Sequence, residues 1–125
     1  MRPLQVGSNK VLISKYQDKI YASGNNCSHY GAPLHTGSLF DNKVVCPWHA
    51  AAFNIQTGMI EQGPGSDGIP VFEIKEKFGK QYVLVPRSFV RTATARLAKR
   101  DPSDKRSFVI IGGGPASISC AETVR

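Results

Sequence analysis

Cys27-Ser28-His29 and, sixteen residues further on, Cys46-Pro47-Trp48-His49 are the stretch around which this chain is organised. Each half offers one thiolate and one imidazole close together in sequence. Structural zinc is one reading of two Cys and two His. A Cys₂His₂ finger, however, places both Cys first and both His second, with the histidines on a helix. Here the order alternates, and Pro33, Pro47 and the neighbouring glycines deny the two segments a helix. A plainer reading makes Cys27 and Cys46 small buried hydrophobes, the commonest fate of a free cysteine.

The alternating order also suits a binuclear iron–sulfur centre in which one iron takes both Cys and the other both His. C-x-H followed by C-x-x-H resembles the Rieske family. The flanks agree: Tyr30-Gly31-Ala32-Pro33-Leu34 follows the first pair and Ala50-Ala51-Ala52-Phe53-Asn54 the second. The resemblance implies a [2Fe–2S] cluster held by Cys27, His29, Cys46 and His49, each loop giving one ligand to each iron. Each His is then expected to keep its outer ring nitrogen at the surface. Two neutral imidazoles in place of two thiolates ease reduction, into a family range of roughly −150 to +300 mV. High-potential members of the family join the two loops by a disulfide and carry a Ser after the second His. Neither loop here has a spare Cys, and Ala50, Ala51 and Ala52 offer no hydroxyl. The resemblance is therefore to the low-potential, ferredoxin-like branch, whose clusters receive fewer hydrogen bonds. One departure is Ala50, where the family usually has Gly. If that position takes a positive φ, Ala strains the loop by about a kcal/mol.

The chain of 125 residues has room for one domain of ordinary size and little more. With 41% apolar residues, eight Pro and twelve Gly, it reads as a loop-rich, folded β domain. No apolar run is long enough to span a bilayer, so no membrane insertion is expected, and Met1-Arg2-Pro3-Leu4-Gln5-Val6 is no secretory signal. Three scattered cysteines exclude a disulfide framework and suit a reducing compartment, giving an intracellular location, cytoplasmic or mitochondrial. The net charge of +7 is uneven. Residues 1–85 carry eight basic and six acidic side chains, whereas 86–106 carry seven basic and two acidic. Only Phe89 interleaves that basic run, so it reads as a solvated linker and not as a nucleic-acid surface.

Six to eight short strands are expected in residues 1–86, from the segments Val11–Ile13, Lys19–Ala22, Ser38–Phe40, Lys43–Cys46, Phe53–Ile55, Met59–Ile60, Val71–Glu76 and Tyr82–Val85. Turns at Gln17-Asp18, Asp41-Asn42, Gln56-Thr57-Gly58 and Phe78-Gly79 join them as hairpins. The fold expected is a mainly β, antiparallel sandwich or barrel with both ligand loops projecting from one end. Gly63-Pro64-Gly65-Ser66-Asp67-Gly68 sits where the resemblance implies a Pro-containing loop over the cluster; an ordinary connection is the alternative. Trp48 reads as a hydrophobic cap on the loop base, and His35 as a loop residue outside the motif.

Residues 87–106 shift to Arg, Ala, Thr and Lys, an interdomain linker with a partly helical stretch expected from Arg91 to Lys99. A second motif follows at 107–125. Ser107-Phe108-Val109-Ile110-Ile111 reads as a strand, Gly112-Gly113-Gly114 as a glycine turn, and Pro115 onward as a helix carrying a buried Cys120. That order is the dinucleotide fingerprint, with Gly112 for the tight turn and Gly114 for close approach of a pyrophosphate. Ser117 stands in the third position, usually Gly or Ala. Together with Cys27–Leu34, Cys46–His49 and Cys120–Arg125, the motif resembles the Rieske-containing members of the apoptosis-inducing-factor-like flavoproteins. The resemblance implies an N-terminal Rieske domain, a linker, and the beginning of a Rossmann-type FAD domain, FAD being held only in a complete chain. It implies one-electron transfer within an FAD-dependent NAD(P)H oxidoreductase of which this chain is a fragment. The partner is then the flavin domain of the same polypeptide, or a separate redox protein. A free-standing Rieske ferredoxin, a carrier and not an enzyme, is the alternative, and a structural zinc module a third.

Overall fold

The computed structural model describes residues 1–89 and 102–124. The chain divides into two units, Met1–Thr94 and Ala95–Arg125. Nine strands follow in order among the described residues: β1 (Arg2–Val6), β2 (Asn9–Tyr16), β3 (Lys19–Gly24), β4 (Ser38–Phe40), β5 (Lys43–Val45), β6 (Ala52–Asn54), β7 (Ile60–Gln62), β8 (Val71–Lys77) and β9 (Lys80–Leu84). A single 3-10 turn, Leu34–Thr36, interrupts them, so His35 lies on that turn and not in open loop.

Two antiparallel sheets result, one in the order β1-β2-β3-β8-β9 and one a meander β4-β5-β6-β7. The hairpin turns fall where turn chemistry puts them. Gln17 (φ 46°) and Asp18 (φ 61°) both take left-handed backbone between β2 and β3, the twist a two-residue hairpin needs. Phe78 (φ 54°) and Gly79 (φ 69°) do the same between β8 and β9. After β6, the Asn54 side-chain oxygen accepts the backbone N–H groups of Gln56 and Thr57 at 2.9 and 3.2 Å, a turn built by a side chain. The one strand beyond the expected segments is β1. Its residues are exposed apart from the half-buried Val6, so it lacks the in-out alternation by which a strand is recognised.

Leu12 of β2, Val44 of β5 and Phe53 of β6 meet in one buried cluster with Leu34, Ile55 and Ile69. Each such side chain contributes about 1.5–3 kcal/mol on leaving water. Cys27, Ala32, Cys46 and Ala51 belong to the same cluster. The bases of both candidate ligand loops are thus part of the packing that joins the sheets.

In the second unit, α1 (Pro115–Thr123) begins with Gly114 as N-cap and Pro at its first position, where a missing N–H costs nothing. The strand expected at Ser107–Ile111 is not formed. A strand needs a neighbour for its N–H and C=O groups, and Val109 and Ile111 are 89% and 95% exposed. For the same reason Cys120 lies on the helix, as expected, but is exposed and not buried. The helical stretch expected from Arg91 to Lys99 lies outside the described residues. No helix among the described residues is long and apolar enough to cross a membrane.

Candidate metal centre

The first candidate loop carries the chain from β3 of one sheet toward β4 of the other; the second joins β5 to β6. Both are closed by the same pair of backbone bonds. In the first, Cys27 N–H donates to the Ala32 carbonyl (2.9 Å) and Gly31 N–H donates to the Cys27 carbonyl (2.8 Å). In the second, Cys46 N–H donates to the Ala51 carbonyl (2.8 Å) and Ala50 N–H donates to the Cys46 carbonyl (3.2 Å). Equivalent positions share backbone geometry: Gly31 has φ 77° and Ala50 φ 59°. The condition attached to Ala50 is therefore met, and an L-residue occupies left-handed backbone. The buried Ala32 and Ala51 that follow anchor each turn in the core.

The turns bring the four candidate ligands together in two pairs. Cys27 and Cys46 are 3% and 4% exposed, and their side chains hydrogen-bond to one another. Burial pushes the Cys27 thiol above its usual range and the bond to Cys46 adds to that, while the backbone N–H groups of His29 and Tyr30, aimed at the sulfur, pull the other way. Outside the thiols, the His29 and His49 rings stand edge to face with centroids 5.1 Å apart. His29 Nδ1 is buried without a hydrogen-bond partner. Leaving such a nitrogen unpaired costs about 1–3 kcal/mol, and an imidazole nitrogen is a group that could take a metal.

Two buried thiols with two imidazoles beside them fit a binuclear iron–sulfur group. Among the described residues, no three His, Cys, Asp or Glu side chains gather where one ion could take them all. A tetrahedral zinc site needs all four donors around one ion, whereas two irons need only two protein donors each.

Gly63–Gly68 lies against the first loop. Ser28 Oγ donates to the Asp67 carbonyl at 2.6 Å, and a Cβ placed on Gly65 (φ 109°) would lie 3.5 Å from His29 Cβ. This stretch therefore packs beside the residues of the first loop at Ser28 and His29. Trp48 does not cap the loop base; it is 58% exposed, its ring 6.5 Å from that of His49. Tyr30 is the contact that the sequence did not disclose. Its exposed ring lies 4.3 Å from His29 and 5.7 Å from His49, centroid to centroid. An aromatic residue with no apolar neighbours in a ligand loop was the available signal. His35 stays apart from the four ligands, bonded through Nδ1 to Asn25 Oδ1 at 2.9 Å.

In the second unit, Gly112 has φ 125°, and a Cβ there would meet Ser117 Oγ at 2.9 Å. Gly114 accepts the N–H groups of Ser117 and Ile118 at 3.0 and 3.1 Å. A glycine turn and a helix start are present at 112–118 without the preceding strand that the fingerprint requires, and the Ser117 hydroxyl stands beside Gly112.

Comparison with known proteins bears on this geometry. The Rieske [2Fe–2S] domain family matches residues 1–73. Apoptosis-inducing factor 3 of Homo sapiens is 39% identical over an alignment that takes in all of this chain. The chain spans only 22% of that protein's length. Ferredoxin CarAc of Metapseudomonas resinovorans is 35% identical, over 63% of this chain and 74% of that one. Among solved structures, a chain from the complex of reduced oxygenase and oxidised ferredoxin in carbazole 1,9a-dioxygenase superimposes with a TM-score of 0.62 at 34% identity, over 66% of this chain and 86% of that one. The Sphingomonas yanoikuyae B1 ferredoxin shares the fold at a TM-score of 0.61 and 22% identity, over 67% of this chain and 85% of that one.

Proposed function

Because this chain belongs to the Rieske [2Fe–2S] domain family, whose business is electron transfer, we propose that it passes single electrons through a centre held by Cys27 and Cys46 on one iron and His29 and His49 on the other. The observation that carries the assignment is the pairing itself, two hydrogen-bonded thiols in the core beside two imidazoles, one with an unpartnered Nδ1 turned inward. When bound, the [2Fe–2S] cluster takes up and gives back one electron. The residues around it hold and tune. Backbone N–H groups of His29 and Tyr30 aim at the Cys27 sulfur, which favours the reduced, more negative state. Ala50, Ala51 and Ala52 supply no hydroxyl donor, which keeps the potential in the low, ferredoxin-like part of the family range. Gly63–Gly68, uncharged but for Asp67, limits water at His29.

In the finer reading, residues 1–86 are the Rieske domain, 87–106 a basic linker and 107–125 the start of an FAD-binding domain that Gly112, Gly114 and Ser117 open. The electron partner is then a flavin module of the same polypeptide drawing on NAD(P)H, in a cytoplasmic or mitochondrial oxidoreductase. An alignment with Apoptosis-inducing factor 3 that takes in the whole chain at 39% identity supports this arrangement. The similarity to Ferredoxin CarAc favours a second reading, a free-standing carrier serving a separate redox protein.

Visible absorption, EPR and iron and sulfide analysis of anaerobically purified protein test the centre. A brown protein with two irons per chain is expected, and loss of iron from His29→Ala and Cys46→Ala. A colourless protein with stoichiometric zinc, or full iron content in either variant, overturns the assignment.

A further inference from the structure

A metal-binding imidazole ordinarily donates its second ring N–H to a carboxylate, a backbone carbonyl or a water, and that bond fixes how the ring is turned. Among the described residues, the histidine ring held by a protein hydrogen bond is that of His35. His29 Nδ1 has no partner, and what stands against the His49 ring is other rings. Packing is left to orient the candidate ligands.

Tyr30 is the side chain placed to do so for both. Its ring centroid lies 4.3 Å from that of His29 and 5.7 Å from that of His49, at interplanar angles of 72° and 59°. The two imidazoles are 5.1 Å apart at 75°. Three rings thus close a triangle of tilted and edge-to-face contacts, the geometry aromatic pairs prefer at about 4.5–7 Å. The shared turn explains the reach of Tyr30. Tyr30 and His49 are each third after the Cys of their turn and directly before its left-handed residue, Gly31 or Ala50. At that one point the second loop presents an imidazole and the first a phenol ring. The Tyr30 backbone N–H aims at the Cys27 sulfur, so its main chain is fixed at one pair of candidate ligands while its ring lies by the other. Tyr30 is 69% exposed and outside the buried cluster, so its ring is not there to fill the core.

With the proposed centre as the reading on which this role rests, we infer that Tyr30 is a positioning residue for the imidazole pair. Its ring, set against His29 and His49 together, fixes how the two are turned in place of a hydrogen bond.

The test compares the iron-loaded wild-type chain with Tyr30→Leu, Tyr30→Phe and Phe40→Leu. Leu keeps apolar bulk without a ring, Phe keeps the ring without the hydroxyl, and Phe40, 70% exposed on β4, is the remote control. Pulsed EPR of the reduced protein reads the ¹⁴N couplings of the two imidazoles, which depend on ring orientation. Bleaching of the visible bands in excess chelator reads how firmly the iron is held. In Tyr30→Leu the couplings should change or spread and bleaching should quicken about two- to tenfold, the loss of these aromatic contacts. Tyr30→Phe and Phe40→Leu should match wild type. Tyr30→Ala carries the same expectation as Tyr30→Leu and decides the matter if circular dichroism shows Tyr30→Leu unfolded. Wild-type couplings and bleaching in Tyr30→Leu, or a change as large in Tyr30→Phe, overturn the role of the ring and leave the centre standing. A wild-type chain that binds no iron overturns both.

Discussion

Ala50→Gly should stabilise the protein, and Gly31→Ala should destabilise it by a similar amount. The two positions are the same point of two turns closed by the same pair of backbone bonds. Both have left-handed backbone, at φ 59° and 77°. Left-handed backbone costs a residue with a Cβ about 1–2 kcal/mol. Glycine removes that cost but gives back about 0.4–1 kcal/mol through the freer unfolded chain. The difference favours glycine by about 0.5–1 kcal/mol. Packing does not complicate the comparison, because a Cβ on Gly31 would meet nothing within 4 Å and Ala50 is exposed. The bond from Ala50 to the Cys46 carbonyl, at 3.2 Å against 2.8 Å for Gly31 to Cys27, is the longer one, as a turn under strain would have. For a unit of this size, about 4–8 °C accompanies each kcal/mol, so Ala50→Gly is expected to raise the midpoint of thermal unfolding by about 2–8 °C and Gly31→Ala to lower it by as much. Far-UV circular dichroism and bleaching of the visible bands, recorded at one scan rate and equal iron content, measure both. The reasoning fails if Ala50→Gly leaves the midpoint unchanged or lower, or if Gly31→Ala is neutral.

Three further outcomes follow from the packing of the loops. Gly37 sits where an added Cβ would run into the Val45 carbonyl oxygen and come within 3.2 Å of Pro47 Cδ. Gly37→Ala should therefore cost about 1–3 kcal/mol or more by overpacking and lower the iron bound per chain, seen by metal analysis of protein folded in parallel with wild type. Ser28→Ala removes the 2.6 Å bond to the Asp67 carbonyl, worth about 1 kcal/mol; faster amide exchange across 63–68 with an unchanged visible spectrum is expected. Finally, segments 27–34 and 46–51 contain no Lys, Arg, Asp or Glu, while Tyr30 and Trp48 stand exposed beside the imidazoles. Reduction through this end should then change little between about 50 and 200 mM salt, since steering by surface charge is what salt screens. A steep salt dependence in stopped-flow reduction would place the contact elsewhere.

Most strands and the turns between them were legible in the sequence because local chemistry determines them. Positive-φ turns such as Gln17-Asp18 and Phe78-Gly79, and the Asn54 turn, set hairpins without help from distant residues. Burial was less legible, since it depends on what a segment packs against. Trp48 would have capped the loop base had either loop offered an apolar wall, but Pro47, Trp48, His49 and Ala50 are all exposed. Cys120 is helical through local propensity and exposed because nothing described packs over it. The contact of Tyr30 with His49 carries no such local signal, because it exists only once the two loops have met.

The spacing difference between C-x-H and C-x-x-H acquires a structural meaning from the shared turn. Both turns start at a Cys and end at a buried Ala, with the same backbone bonds, so the position of the His within the frame decides where its ring goes. His29, two residues after its Cys, lies deeper, with Nδ1 buried and Gly65 against its Cβ. His49, three residues after its Cys, shares the exposed side of its turn with Trp48. The extra residue is what displaces the second imidazole outward. The expectation that each ring keeps its outer nitrogen at the surface therefore meets two surroundings: His29 is half-buried with Nδ1 enclosed, and His49, flanked by Tyr30 and Trp48 at 5.7 and 6.5 Å, is exposed.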